Sequence, residues 1–583
     1  MSGRAVTSGS NRVPGRYTLM ALGVAARRQV GAEWRGSLLH RALLAGPKPA
    51  GLGAMPLDLR PADPENGRRI LAGALVFGGE TLAPGPRGDP WDRASPSRRF
   101  AVALHRFGWM RDLLALGDPG AAEGLRLTLE WRRLFGRWNA FSWSPEVLEH
   151  RVFNLACAAR AICAKASDAE TAQIAADLAR QARFLLSVND GPARAAERAA
   201  AAAVAASALG QKVGEPLLDR ALNRLAHVLP DTLSHDGGHA SRSPQAALEL
   251  FFDLTTLDDA LAQHGIAAPE EMMRALDRLG AAVRFFTLAD GRLAAFQGGE
   301  ELTAGYVAAA RAQDDAGDRP IPASRNGYHR LEARSLQVIV DTGQPAPGPW
   351  STTACAQPLA IEVLAGGRRL IVGGGWTPES HGPAALRLVD AASTLSVGDA
   401  PCGQPLQGFA AQVLGPRLYG AHDEVEARRH EAPGALWLEL AHQGWATAFG
   451  FRHERRLYID IEADELRGED RLSPMQERGP KNADGRRFVP FTVRFQLHPE
   501  VSALIARDKT SVLLKAEGDE GGWWLRSDAA EVALEPSTHY QGGQVRHSQQ
   551  IVMRGQARLD AGAKLRWKLS AAQSRVDDAE PAA

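Results

Sequence analysis

The sequence has few cysteines and almost no net charge. Its four cysteines, Cys157, Cys163, Cys355 and Cys402, form neither a CxxC pair nor a zinc-knuckle spacing. No disulfide framework is therefore predicted. The 68 basic and 67 acidic residues leave a formal net charge of +1, so global electrostatics gives no case for a nucleic-acid partner.

The sequence also lacks long hydrophobic runs and the common nucleotide and hydrolase motifs. The apolar stretch YTLMALGVAA (17–26) is followed by RRQVGAEWR, which makes a weak export signal and no membrane span. Neither a phosphate loop nor a GxGxxG, HExxH or GxSxG motif occurs in a fitting context. We therefore predict no cofactor.

The segment from 120 to 290 has helical periodicity. In ETAQIAADLARQARFLLSV, Ile174, Leu178, Ala182 and Leu185 fall on one helical face. Such helices recur about every 25 to 35 residues with short polar joints, which indicates stacked helical hairpins in a solenoid or toroid.

Near residue 330 the period changes from 3.6 to 2. Segments such as LQVIVD, LAIEVL, ALWLELA, RRLYIDIE and FTVRFQLH alternate in the manner of strands, with Gly, Pro, Asp and Asn between them. Many short strands without intervening helices indicate an antiparallel sandwich. A ligand would be expected in the cleft between the two parts.

One connection in the helical part has an unusual composition. The stretch HDGGHASRSPQ (235–245) holds two histidines, an arginine and several turn-formers between two predicted helices. It is either a solvated loop or a substrate-binding loop at the mouth of a helical bowl.

Several segments together resemble one family. DGGHASRSP, GYHRLEARSLQVIVDTGQPAPGP, LAIEVLAGGRRLIVGGG, ASTLSVGD, HQGWATAFGFRHERRLYIDIEADELRGEDRL, FTVRFQLHP and QQIVMRG occur in this order. This set is similar to the bacterial heparinase II/III family in its alphaproteobacterial form, and the likeness covers about 66 to 555. The resemblance implies an α+β multidomain protein with an N-terminal α/α-toroid (an incomplete helical barrel) and a C-terminal antiparallel β-sandwich.

The residue patterns and the family resemblance together predict the domain boundaries. We expect a partly disordered lead-in over 1–60, a toroid over 61–315, a linker over 316–328, a sandwich over 329–575 and a disordered tail over 576–583. The resemblance also implies a location in the cell envelope or periplasm. It leaves the oligomeric state open.

The family implies polysaccharide lyases that cleave uronic-acid-containing chains by β-elimination. That reaction needs a group that neutralises the carboxylate, a base at C5 and an acid at the leaving oxygen. The expected partner is an anionic polysaccharide. We interpret His239 and Tyr328 as catalytic candidates. The candidates for substrate binding are Asn189, Arg242, His329, Glu362, His442 and His453.

The sequence departs from the family pattern at the positions that matter most. Ala246 or Ala247 replaces the tyrosine expected after RSPQ, Cys355 aligns with one expected histidine and Ala392 with another. The aspartate of the family's His, Asp, His zinc site is Gly373. His453 alone keeps a ligand position, so no metal site of the family type is predicted.

Two rival functions remain open at this stage. The first is a glycan-binding relative that has lost catalysis, and the second is a hydrolase that uses paired carboxylates such as Glu362 and Asp236. His381 could replace the missing turn histidine. His498, which closes the strand FQLHP, is interpreted as structural.

Overall fold

A computed structural model describes residues 13–314, 317, 319–378, 384–422, 424–475, 487–518 and 521–572. His381 and the expected tail over 576–583 lie outside these residues. Among the helices that the model describes, none is long and apolar enough to cross a membrane.

The first half of the chain is helical apart from one short hairpin. Its hairpin pairs β1 (Leu75–Phe77) with β2 (Glu80–Leu82). The helices are α1 (Gly15–Gly36), α2 (Leu38–Ala45), α3 (Pro64–Leu71), α4 (Arg98–His105), α5 (Met110–Leu114), α6 (Asp118–Phe135), α7 (Pro145–Ile162), α8 (Asp168–Ser187), α9 (Ala195–Ser207), α10 (Gln211–Thr232), α11 (Pro244–Gln263), α12 (Glu270–Phe286) and α13 (Ala304–Arg311).

Local sequence signals explain where these helices begin. Ser167 and Glu170 form a reciprocal capping box at α8, and Ser243 accepts from the backbone of Ala246 at the start of α11. Helix α9 is buried along its whole length, in contact with α7, α8, α10 and α11. Its run of alanines suits this place, because small side chains let several helices approach closely.

The second half is a sandwich of antiparallel sheets. One sheet has the order β11–β12–β13–β14–β21–β18–β17–β16, and the other β19–β20–β15–β7–β6–β5–β4–β3 with β8 beside β15. The strands are β3 (Ser324–Arg325), β4 (Tyr328–Glu332), β5 (Leu336–Asp341), β6 (Ile361–Ala365), β7 (Arg368–Val372), β8 (Leu395–Val397), β9 (Gln404–Pro405), β10 (Leu418–Tyr419), β11 (Val425–Ala432), β12 (Ala435–His442), β13 (Phe451–Asp460), β14 (Glu465–Pro474), β15 (Phe488–Leu497), β16 (Val501–Ile505), β17 (Ser511–Ala516), β18 (Trp523–Ser527), β19 (Glu531–Gln541), β20 (Gln544–Arg558) and β21 (Ala563–Ala571). Two short helices, α14 (Gly408–Leu414) and α15 (Ala446–Phe449), lie in its connections.

The toroid packs on the outer face of the second sheet. On β5 and β6, Val338 and Val363 point into the sandwich core, whereas Ile339 and Leu364 belong to the toroid core. Both faces of these strands are therefore buried. Alternate side chains along each strand enter two different cores, instead of a core on one face and solvent on the other. This junction brings the predicted site residues of the two halves together.

Candidate functional site

The loop over 235–245 is a closed turn held against the sandwich. Gly237 and Gly238 have positive φ, and a Cβ on Gly238 would lie 2.7 Å from the Asn326 amide. Asn326 donates to the His239 carbonyl at 3.1 Å, and its backbone N–H donates to Asp236 at 2.6 Å. The loop thus joins the toroid to the β3–β4 turn.

His239 is buried within this junction. Its Nδ1 lies 2.6 Å from the Ser241 hydroxyl, and its Nε2 lies 3.3 Å from a Glu197 oxygen. The edge of Trp350 packs on the imidazole at 5.4 Å between centroids. Only 3% of His239 is exposed, so it has no open face toward a polymer.

Arg242 and Tyr328 belong to a buried network, which we call the junction network, with Gln297 and Asp341. Arg242 pairs with Asp341 at 2.5 Å and stacks on the Tyr328 ring at 4.6 Å. The Tyr328 hydroxyl donates to the Arg242 carbonyl at 3.0 Å, and Gln297 donates to the other Asp341 oxygen at 2.8 Å. Burial raises the pKa of Tyr328 well above its ordinary value.

The remaining junction candidates lie in separate surroundings. Asn189 is exposed after α8, and His329 is half-buried with Nδ1 3.0 Å from the Thr342 hydroxyl. Burial and then Arg429 lower the pKa of His329 to about 4.

Glu362 is buried on the toroid side of β6. It accepts from the Ala295 amide at 3.2 Å and lies 3.4 Å from Arg369. Burial raises its pKa to about 7. Asp236 instead accepts from Asn326. The two carboxylates of the predicted hydrolase pair therefore have different partners.

His442 and His453 form the start of a second buried network, which we call the histidine chain, with Asp470 and Arg455. The hairpin pairs the histidines directly, as its sequence predicts, with Nε2 of His442 3.0 Å from Nδ1 of His453. His453 then contacts Asp470 at 2.8 Å, and Arg455 holds both Asp470 oxygens. Burial lowers the pKa of both histidines. The histidine chain lies in the first sheet of the sandwich, on β12, β13 and β14.

Helix α1 lies over the cleft expected between the halves. Arg28 of α1 donates to the Val413 carbonyl at 2.6 Å and lies 3.6 Å from Asp190 at the toroid rim. Beneath α1 is a cavity of about 630 Å³, lined in part by Gly348 and Ser351 beside Trp350. Helix α1 thus spans from toroid to sandwich above the segment that shields His239.

The acidic partners in these networks are what the sequence interpretation missed. Glu197, Asp341 and Asp470 come from separate elements, and no short motif contains both members of any pair. For Glu197 and Asp341 the available signal was their placement on largely apolar segments, where a charge needs a partner.

Comparison with known proteins agrees with this architecture. The family model described as "Heparinase II/III-like, C-terminal" matches residues 317–573. The chain belongs to the heparinase II/III-like family. The whole chain also resembles a solved heparinase III structure, with a TM-score of 0.68, 14% identity and coverage of 96% of this chain and 92% of that one. The heparan sulfate lyase HepC from Pedobacter heparinus gives a TM-score of 0.55 at 14% identity, covering 95% and 91%.

A relative with much higher sequence identity has a different kind of name. FtsZ-localized protein C of Caulobacter vibrioides (strain NA1000 / CB15N) is 52% identical over 564 residues, which are 96% of this chain and 97% of that protein. The lyase structures share the fold at low identity, whereas this relative shares about half of the residues along nearly the whole length.

Proposed function

We propose that the chain is a heparinase-fold protein without lyase activity that acts together with FtsZ. The FtsZ part of this proposal is supported by the 52% identity to FtsZ-localized protein C over almost all of both chains. The loss of lyase activity is supported by one observation, the complete burial of Tyr328 within the junction network.

β-Elimination requires a base within hydrogen-bond reach of a sugar carbon. The Tyr328 hydroxyl is already committed to the Arg242 carbonyl, and its raised pKa opposes the phenolate that a base would need. Arg242 is likewise committed to Asp341 and to the carbonyls of Gly327 and Gln344. These groups hold the two halves together and have no remaining capacity for substrate.

The test has two arms on the full-length protein. In the first, the chain is sedimented with polymers of FtsZ from the same organism, and we expect it in the pellet only when FtsZ is present. In the second, the protein is incubated with uronate polymers, and the ultraviolet absorbance of the C4–C5 double bond that β-elimination would form is measured over time. We expect no rise in this absorbance. An absorbance rise that Tyr328→Phe abolishes would contradict the loss of catalysis, and absence from the FtsZ pellet would contradict the partner.

A second candidate function is the binding of an anionic glycan without cleavage. One cavity of about 600 Å³ on the toroid is lined by basic and indole side chains, and guanidinium groups with aromatic faces suit uronate sugars. These residues are Arg35, Arg41, Lys48, Arg137, the half-buried Trp138 and the buried Trp143, and the acidic Asp177 lines the same cavity.

Binding to this cavity is separable from the other tests. We expect Arg41→Ala with Arg137→Ala to weaken retention on a uronate-polymer column, while Arg274→Ala, an exposed arginine on α12, leaves it unchanged. Equal retention of all three proteins would exclude the cavity as the binding surface.

A further inference from the structure

Three buried side chains from distant segments converge where the toroid meets the sandwich. Glu301 precedes α13, His498 follows β15, and His539 lies in β19. We call them the three-ligand cluster. Each is at most 2% exposed.

The facing atoms of this cluster lie close together but make no aligned hydrogen bond. Glu301 Oε2 lies 3.2 Å from His498 Nε2 and 3.8 Å from His539 Nε2, yet none of the three atoms makes an aligned hydrogen bond. Nearly all buried polar atoms in folded proteins are hydrogen-bonded, so three unsatisfied atoms that face each other require an explanation.

The other atoms of the same side chains are held in place. Glu301 Oε1 accepts from Arg292 and, at 2.8 Å, from Gln541. His539 Nδ1 lies 3.0 Å from the Gly373 carbonyl, which can only accept. Nδ1 therefore carries the proton, and the lone pair of Nε2 points into the cluster, which is the arrangement that metal-bound histidines usually have.

The spacing fits a tetrahedral transition-metal ion. Bonds of about 2.0–2.2 Å at tetrahedral angles place ligand atoms about 3.3–3.6 Å apart. The two distances from Glu301 Oε2 to the histidine Nε2 atoms, 3.2 and 3.8 Å, are close to this range, and all three atoms lie within 4.8 Å of one another. We infer that Glu301, His498 and His539 bind a divalent transition-metal ion such as Zn²⁺. Two imidazoles with one carboxylate favour such an ion over Mg²⁺ or Ca²⁺, which prefer oxygen ligands.

The charges around the cluster are compatible with a cation. Arg369 lies 3.8 Å from Glu301 Oε2, but its guanidinium is paired with Asp290 at 2.7 Å and Glu362 at 3.4 Å. On His498, Nδ1 accepts from the Glu500 backbone N–H at 3.3 Å, so the neutral ring carries its proton on Nε2, which faces Glu301. An ion bound at Nε2 would displace this proton to Nδ1, where the Glu500 carboxylate lies 3.8 Å away.

The site would join three segments that are far apart in the chain. Glu301 belongs to the toroid side of the junction, and the two histidines belong to the sandwich. The ion is therefore a structural link between the halves. Gly373, which stands where the family resemblance expects a zinc-ligating aspartate, contributes only its carbonyl to His539.

A second group of ligand types serves as an internal control. Cys402, His422 and His442 also approach each other, but Nε2 of His442 contacts His453 at 3.0 Å and its Nδ1 accepts from the Gly444 amide at 3.1 Å, whereas His498 has such an amide contact only at Nδ1. This group therefore has less capacity for an ion.

The test is the metal content of the full-length protein after chelator treatment, incubation with Zn²⁺ and desalting. We expect about one zinc per chain in the wild type and at least tenfold less in Glu301→Gln and His539→Gln. His442→Gln and His329→Gln should keep the wild-type content. Zinc should also raise the melting temperature of the wild type but not of Glu301→Gln.

Co²⁺ substitution in the wild type gives a readout that needs no variant. Ligation by two histidines and a carboxylate gives visible ligand-field bands without a thiolate charge-transfer band, whereas ligation by Cys402 adds that band. A thiolate band, zinc loss only in His442→Gln, or a wild type that retains no metal would each overturn the assignment.

Discussion

The junction between toroid and sandwich holds two buried polar clusters that differ in one respect. In the junction network, Arg242, Tyr328 and Asp341 have partners within the protein. In the three-ligand cluster, the facing atoms of Glu301, His498 and His539 lie within ion-pair distance of one another but make no aligned hydrogen bond. A satisfied cluster stabilises the fold, whereas convergent unsatisfied atoms indicate a place for a ligand. The family resemblance predicts functional residues in the first cluster, whereas the geometry indicates a ligand site in the second.

The largest effect on stability is expected from a substitution that breaks the junction network. Arg242→Met leaves Asp341 buried without its charged partner, which we expect to lower the free energy of unfolding by about 3–5 kcal/mol. Urea denaturation followed by tryptophan fluorescence measures the change. Arg274→Met, which removes an exposed helical pair with Glu270, should cost about 0.3–0.5 kcal/mol. Equal losses in the two variants would mean that Arg242 is not a structural residue.

A smaller effect on stability is expected from His105, a buried histidine that already has a hydrogen-bond partner. Trp131 donates to His105 Nδ1 at 3.1 Å, and burial followed by Arg151 lowers the pKa of His105 to about 3. The folded protein keeps this ring neutral while the unfolded chain protonates it below its ordinary pKa of about 6.5, so stability falls as pH falls. At pH 4.5 the loss is about 2.7 kcal/mol, from about 1.36 kcal/mol for each of two pH units.

The variant His105→Gln isolates this contribution. We expect its stability to fall less than that of the wild type when denaturation at pH 7 is compared with pH 4.5. His227→Gln, at an exposed position on α10, should follow the wild type at both values. Parallel pH profiles for His105→Gln and the wild type would show that His105 is already protonated in the folded protein at pH 4.5.

The smallest effect concerns Tyr328. Tyr328→Phe removes the hydrogen bond to the Arg242 carbonyl, which we expect to cost about 1 kcal/mol in unfolding free energy. Sedimentation with FtsZ should be unchanged. Full loss of an enzymatic activity with little change in stability would instead make Tyr328 a catalytic residue and would reverse the comparison between the clusters.

Much of the architecture could be predicted from periodicity. The change from period 3.6 to period 2 near residue 330 marks the passage from toroid to sandwich, because each period follows from how a helix or a strand alternates its side chains. The segment NGRRILAGALVFGGETL (66–82) was harder, since its Gly-punctuated apolar run predicts a short strand or hairpin, whereas in the structure α3 ends within it and the β1–β2 hairpin follows. Pro64 and the cap Asp63 start that helix just before the apolar run.

The site residues show where the sequence stops being informative. His442 and His453 could be paired in advance, because a hairpin sets its own register. Glu362 alternates with apolar residues on β6, but only the packed toroid shows that its face is buried. Glu301 and His539 are separated by hundreds of positions, and His498 has the sequence context of an ordinary strand end.

The sequence by itself determined the two-part fold and its family, since both depend on local periodicity and on ordered motifs along the chain. The tertiary structure decided which polar side chains have partners. Hydrogen-bond satisfaction is a property of atoms that distant segments bring within about 3 Å. For this reason Tyr328 became part of a closed network, and Glu301 became part of a proposed metal site.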